Sequence, residues 1–201
     1  TENIKNYLKT LKSLDVKNIL ALRGDMPENQ KIYNDFKYAS ELVEYLKKES
    51  SLSIAVAGYP EGHKECESIE KDIQYLKQKV DNDVIFTQLF FNNSHFISFV
   101  EKCEKQNITV PIIPGILPVT NYKTLEKMST LCKVEVPAKM AQVLEKHKDD
   151  KDYIKQYGIE YASLQCKELL ETGVKGLHFY TLNKAYATSE ILKNILYTRT
   201  N

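Results

Sequence analysis

The chain has 201 residues, 42% of them hydrophobic and 27% charged, which suits one folded domain and excludes a disordered one. A formal net charge of +1 argues against electrostatic binding to nucleic acid or an anionic membrane, and no apolar run approaches the ~20 residues of a membrane span. Cys66, Cys103, Cys132 and Cys166 lie far apart without a CxxC pair, which excludes a zinc knuckle or disulfide framework and points to a reduced, cytoplasmic protein.

Along the chain, two periodicities alternate. Ile4, Tyr7, Leu8 and Leu11 form a helical stripe, and the short apolar run NILAL follows. Ala39, Leu42, Val43 and Leu46 repeat the stripe before LSIAVAGYP; Ile69, Ile73, Leu76 and Val80 repeat it before VIFTQLFF. Phe96, Phe99, Val100 and Cys103 mark a fourth helix ahead of VPIIPGILP. Two more helical segments follow, one starting near Pro137 and one through Ile159, Ala162, Cys166 and Leu169. GLHFYTLN and a helix through Ile191, Leu192 and Ile195 close the series.

Continuous apolar strands between amphipathic helices predict an α/β fold with a parallel sheet. An open doubly wound sheet and a (β/α)8 TIM barrel both fit. No GxGxxG follows any strand, so the usual dinucleotide fingerprint is lacking. Every strand ends in polar or specially shaped residues: RGDMP, GYPEGH, TQLFFNN, PGILP and YTLN. That favours the barrel, whose chemistry collects at the C-terminal ends of its strands. Five βα units do not close a barrel of eight, and the chain opens at Thr1 inside a helical pattern. The expectation is one partial domain over 1–201, with about three strands of a longer parent protein preceding Thr1.

The strand ends hold the candidate chemistry. Arg23 and Arg199 are the only arginines in a lysine-rich chain, and Arg23 at a strand end suits bidentate recognition of phosphate or carboxylate. Gly24 permits close approach or positive φ, and Asp25 offers a carboxylate to a cavity. Read in isolation, the same tripeptide is also a strand-end turn with an ion pair. Tyr59, Pro60, Glu61 and His63 follow the second strand; Asp72, Gln78 and Lys79 fall on the next helix, where a solvated face is the ordinary expectation. Gln88 is a polar amide within an apolar strand, and a flat heterocycle with paired donors and acceptors would satisfy it. Pro114 and Pro118 stiffen the fourth ending, and Thr181, Asn183 and Lys184 close the fifth. His63, His95, His147 and His178 show no metal-ligand spacing, and no nucleophile signature is present. A mouth of amide, aromatic and ion-pair groups suits a cofactor that carries the hard chemistry itself.

Taken together, LALRGD, the YAS of Tyr38–Ser40, AGYPEGH, the Lys-Val-Asp of Lys79–Asp81, FTQLFFNN, PIIPGILPVTN and HFYTLN resemble methylenetetrahydrofolate reductase, in order and nearly in spacing. The resemblance covers essentially the whole chain. It implies a (β/α)8 barrel holding FAD, a hydride from NADH or NADPH, and reduction of 5,10-methylenetetrahydrofolate to 5-methyltetrahydrofolate for methionine synthesis. It places Arg23, Gly24 and Asp25 against FAD, Asp25 also against the pterin, with Tyr38, Ala39 and Tyr59 along the flavin and ribityl chain. His63, Asp72, Gln78 and Lys79 would meet the ribityl, adenosine and diphosphate end. Gln88 would contact folate and nicotinamide; Thr124, Met128, Tyr180 and Lys184 would line the folate wall and tail.

Several positions depart from the family pattern. Lys184 stands where an arginine is usual, and Thr124 and Met128 replace a glutamine and a phenylalanine. Gln78 replaces a cation near the diphosphate, and KVDNDV is two residues shorter than usual. The family's proton donor, a glutamate on the first barrel strand, is not among these residues. The resemblance therefore implies either most of a flavin-dependent reductase or, alternatively, a non-catalytic piece that binds flavin or partner subunits. A barrel enzyme that uses Arg23 for a substrate phosphate is a third reading. A homo-oligomer is expected; NADH against NADPH stays open.

Overall fold

The computed structural model describes residues 2–24, 35–80 and 84–196. In chain order the elements are α1 (Glu2–Ser13), β1 (Asn18–Ala21), α2 (Ala39–Glu49), β2 (Ser53–Gly58), α3 (Ile69–Lys79), β3 (Ile85–Leu89) and α4 (Asn93–Lys105). Then come β4 (Ile112–Ile116), α5 (Tyr122–Cys132), α6 (Ala138–Lys146), α7 (Lys151–Glu171), β5 (His178–Phe179) and α8 (Ala185–Leu196). No helix among them is long and apolar enough to cross a membrane.

All four strand pairings are parallel, and the strands lie in the order β1-β2-β3-β4-β5. A doubly wound sheet reverses its order at a switch point; this sheet does not. It is an arc of a half-barrel, consistent with part of a TIM barrel. Both of its edges, β1 and β5, are unpaired among the described residues.

Strand alternation divides the side chains. Ile54, Val56 and Ile85 point to the helix layer and pack with Val43 and Leu46 of α2, Ile73 and Leu76 of α3, and Phe99 and Cys103 of α4. A second cluster joins Ile116 to Ile159, Cys166 and Leu169 of α7 and Ile191 of α8. These residues are almost fully buried, Ile85, Cys103, Cys166 and Leu169 at 0% exposure. A third cluster sits past the strand ends, where Leu89, Phe91, Leu117 and Val119 meet Leu125, Met140, Leu144 and Ile154. In the first two clusters the apolar helix face follows from the i, i+3, i+4 stripe of the sequence.

Two features leave no mark in the periodicity. The first is α5, which buries only Leu125, so its stripe is faint; its start is set by Asn121, whose side chain accepts a bond from Thr124 N at 2.8 Å. The second is a bulge in β3. Phe86 pairs with Ile113 but Leu89 pairs with Gly115, so β3 carries one extra residue between them. Thr87, fully buried, accepts the Gly115 N–H on its hydroxyl at 2.9 Å in place of a regular ladder bond.

Gly115 is required by close approach. A Cβ there would stand 2.3 Å from the Thr87 carbonyl oxygen and 2.8 Å from the Tyr180 ring. Only a glycine lets the tyrosine cross the strand.

Candidate active site at the strand ends

The parallel arrangement carries the loops after β1, β2, β3 and β5 to one rim. Arg23 and Gly24 follow β1, and Gly24 has φ +77 with open space where a Cβ would sit. That left-handed backbone is the reason for glycine here. Asp25 lies outside the described residues. Arg23 Nη2 donates to both carboxylate oxygens of Glu65, at 2.9 and 2.8 Å. The Arg23 hydrogen bond holds the Glu65 carboxyl below its ordinary value. Glu65, 42 positions away, had no signal in the spacing.

After β2, Tyr59 and His63 meet edge to face with ring centroids 4.6 Å apart. Asp72 accepts the backbone N–H of His63 at 3.1 Å, and His63 Nδ1 accepts the N–H of Glu65 at 3.2 Å. With Nδ1 occupied as an acceptor, the ring proton of neutral His63 sits on Nε2. Burial lowers the His63 pKa, against the opposing pull of Asp72 and Glu65. Asp72 is not on a solvated face. It is 7% exposed, and that burial raises its pKa although Lys79 draws it down. Burial likewise lowers the Lys79 pKa, with Asp72 opposing.

Gln78 and Lys79 stand at the far end of α3, about 10 Å along the helix from Asp72. Gln78 is an exposed residue of the last turn. Lys79 is half-buried, on the same side of the helix as Asp72. Tyr38 is the N-cap of α2 and Ala39 its first residue. The Tyr38 N–H donates to Glu41 Oε2 at 3.4 Å, an interaction that shapes the helix start.

Gln88 departs from the expected environment. It is half-buried beside the bulge, and its side-chain Oε1 accepts the Leu89 N–H at 2.9 Å. The buried polar residue of this strand is Thr87. A bulge re-aims the side chains next to it, and the sequence pattern cannot show it. Tyr180 Oη donates to the Thr87 carbonyl at 2.9 Å, and burial pushes its pKa up to about 12. Tyr180 also adjoins the ring series of Phe86 and His178, with centroids 5.0 Å apart at each step. Leu182 and Asn183 both have positive φ, 48 and 59, so the turn before Lys184 is strained in two consecutive non-glycine residues. Lys184 is exposed. Thr124 and Met128 are half-buried on α5, Met128 against the third cluster.

At the rim the fold also assembles three residues that the sequence scatters. His95 Nδ1 is 3.3 Å from Glu61 Oε1, and His95 Nε2 is 3.5 Å from Glu135 Oε2. A groove of about 590 Å³ lies elsewhere: Ile97, Glu104, Asn107, Val110, Thr172 and Lys175 line it at the opposite end of the sheet.

The family described as methylenetetrahydrofolate reductase matches residues 1–196. A rice protein named "Probable methylenetetrahydrofolate reductase (NADH)" is 40% identical over 96% of this chain and 36% of its own length. The "5,10-methylenetetrahydrofolate reductase" of Escherichia coli strain K12 is 41% identical over 85% of this chain and 57% of its own. A Caenorhabditis elegans protein named "Probable methylenetetrahydrofolate reductase (NADPH)" is 35% identical over 94% of this chain and 29% of its own. The chain thus spans between 29% and 57% of the length of these curated relatives. From the match over nearly its whole length, the chain belongs to the methylenetetrahydrofolate reductase family.

Proposed function

We propose that residues 1–201 are part of a barrel domain, with its first three strands upstream, that reduces 5,10-methylenetetrahydrofolate to 5-methyltetrahydrofolate with NADH or NADPH. The observation that carries the reading is the gathering of Arg23, Gly24, Tyr59, His63, Gln88 and Tyr180 at the ends of sequential parallel strands in a chain of this family. FAD, when bound, supplies the hydride transfer between the nicotinamide and the folate.

The residues present fit such a group. The Arg23 guanidinium and the Lys79 ammonium offer positive charge to a diphosphate, and His63 offers a ring N–H donor to a ribityl or ribose hydroxyl. The half-buried Lys79 already sits at a cost, since its pKa is lowered, so an anion that shares its environment is favoured. Arg23 trades the exposed Glu65 carboxylate for an anionic ligand at little cost, because such surface pairs are worth at most about 1 kcal/mol. Gly24, with no side chain, leaves its backbone approachable. Tyr59 and Ala39 supply apolar surface beside the isoalloxazine.

On the other side, Gln88 rotates away from its local bond to Leu89 N and presents amide donor and acceptor to the flat pterin. Tyr180, Thr124, Met128 and Lys184 form the wall and tail contacts, and Lys184 meets the glutamate tail as a point charge rather than a fork. Asp25 would offer its carboxylate to the pterin; opening of the folate ring produces a cationic iminium, which a carboxylate in a dry pocket stabilises more strongly than water does. The protonation of the opening ring belongs to a carboxylic acid upstream of Thr1.

The experiment separates the half-reactions. Asp25→Asn leaves FAD bound and slows folate reduction at least about tenfold more than NADH–menadione oxidation, measured with the upstream residues present. Equal slowing of the two contradicts the assignment of Asp25.

A further inference from the structure

We propose that Glu61, His95 and Glu135 form a binding site for a borderline transition-metal cation, with Zn²⁺ the best match to the donor set. The three come from separate parts of the rim: the loop after β2, the first turn of α4, and the connection between α5 and α6. One ligand atom from each lies within 4.8 Å of the other two.

The decisive observation concerns two atoms. Glu61 Oε1 and His95 Nδ1 are both sealed from solvent, and neither has a hydrogen-bond partner. They stand 3.3 Å apart, yet are not aligned to bond one another. The other Glu61 oxygen is already used, accepting the Glu135 backbone N–H at 2.7 Å, so the orientation of this carboxylate is fixed. A buried polar atom left unmatched is costly, and here two such atoms face the same small volume.

Tetrahedral zinc binds nitrogen and carboxylate oxygen at about 2.0–2.1 Å, which sets neighbouring ligand atoms about 3.3 Å apart. The Glu61–His95 separation therefore equals that of two ligands on one ion. Glu135 Oε2 stands 3.5 Å from the other ring nitrogen, Nε2, and its side chain, 67% exposed, has to swing to the Nδ1 side to serve as the third ligand. Water fills the remaining position. The rival account is an imidazolium bridging two carboxylates. Its two contacts, 3.3 and 3.5 Å, are both longer than the about 2.7–2.9 Å of a charge-assisted hydrogen bond. An imidazole with two carboxylates suits Zn²⁺ better than Mg²⁺, which favours oxygen ligands and its own water.

The site is independent of the flavin reading and differs from it in purpose. Glu61 is two residues before His63, so an ion here would tie the loop bearing Tyr59 and His63 to α4 and to the α5–α6 connection.

Calorimetric titration of the metal-free protein with Zn²⁺ tests it, alongside Glu61→Gln, His95→Ala and, as a control, His147→Gln. The expected result is about one Zn²⁺ per chain, weakened at least about a hundredfold by His95→Ala or Glu61→Gln and unchanged by His147→Gln. Glu61→Gln keeps an acceptor for the Glu135 N–H, so an unaltered melting temperature without metal shows that its fold survives. Co²⁺ in place of Zn²⁺ should give visible bands without thiolate charge transfer. No Zn²⁺ uptake, undiminished uptake by both site variants, or a thiolate band from the cysteines would each overturn the proposal.

Discussion

The rim has two unlike halves. Around β1 and β2 it is charged: Arg23 pairs with Glu65, the buried Asp72 carboxyl accepts the His63 backbone N–H, and Lys79 lies behind them. Around β3 to β5 it is built from an amide, aromatic rings and apolar packing: Gln88, Phe86, His178 and Tyr180, the last packed on the third cluster. The two halves share one backbone plan, parallel strands feeding loops, so the difference lies entirely in the side chains. Charge is placed where a diphosphate is expected, and flat, neutral surface where a heterocycle is expected.

The halves should fail differently when perturbed. The largest effect belongs to the aromatic half. Gly115→Ala puts a Cβ against the Thr87 carbonyl and the Tyr180 ring, and should cost about 3 kcal/mol, or roughly 10 °C in Tm by calorimetry. A melting temperature within a degree or so of the parent would show that Tyr180 does not depend on this crossing.

A smaller effect belongs to the ionic half, and depends on pH. Burial holds the His63 pKa below 6.5. The stability contributed by neutral His63 is fully present above 6.5 and is lost as pH falls through the lowered folded value. Between pH 7 and 5, urea unfolding should show the parent losing more stability than His63→Gln. Parallel curves would place His63 in a water-like environment.

The smallest is Glu65→Gln. It removes an exposed charge partner of Arg23 and should change stability by less than about 1 kcal/mol, while tightening FAD binding because the guanidinium is released. A large drop in Tm would make this pair structural rather than exchangeable.

Much of the fold is legible from periodicity. The stripes through Val43 and Leu46 or Phe96 and Phe99 are buried as expected, and the five apolar runs are the five strands. What stays hidden has physical causes. α5 buries one residue, so periodicity cannot announce it. The β3 bulge is a matter of register between two strands, and it decides why Thr87 is enclosed while Gln88 is only half-buried. Asp72 has the composition of a solvated helix position but sits under the loop that it bonds. Glu65 and the Glu61–His95–Glu135 group are joined only by tertiary packing, since tens of residues separate their members. The strand-end motifs, by contrast, mark the rim because each is continuous in sequence.

The central claim, a rim divided between cofactor and folate, is tested most directly by a crossed titration. FAD and 5-methyltetrahydrofolate would be titrated into the parent, Lys79→Gln and Gln88→Leu, with the upstream residues present. The account predicts that Lys79→Gln weakens FAD about tenfold and leaves folate affinity of the FAD-loaded protein unchanged. Gln88→Leu should weaken folate by a similar factor and leave FAD unchanged. Equal losses of both ligands in both variants, or a parent protein that stays colourless in excess FAD, would contradict it.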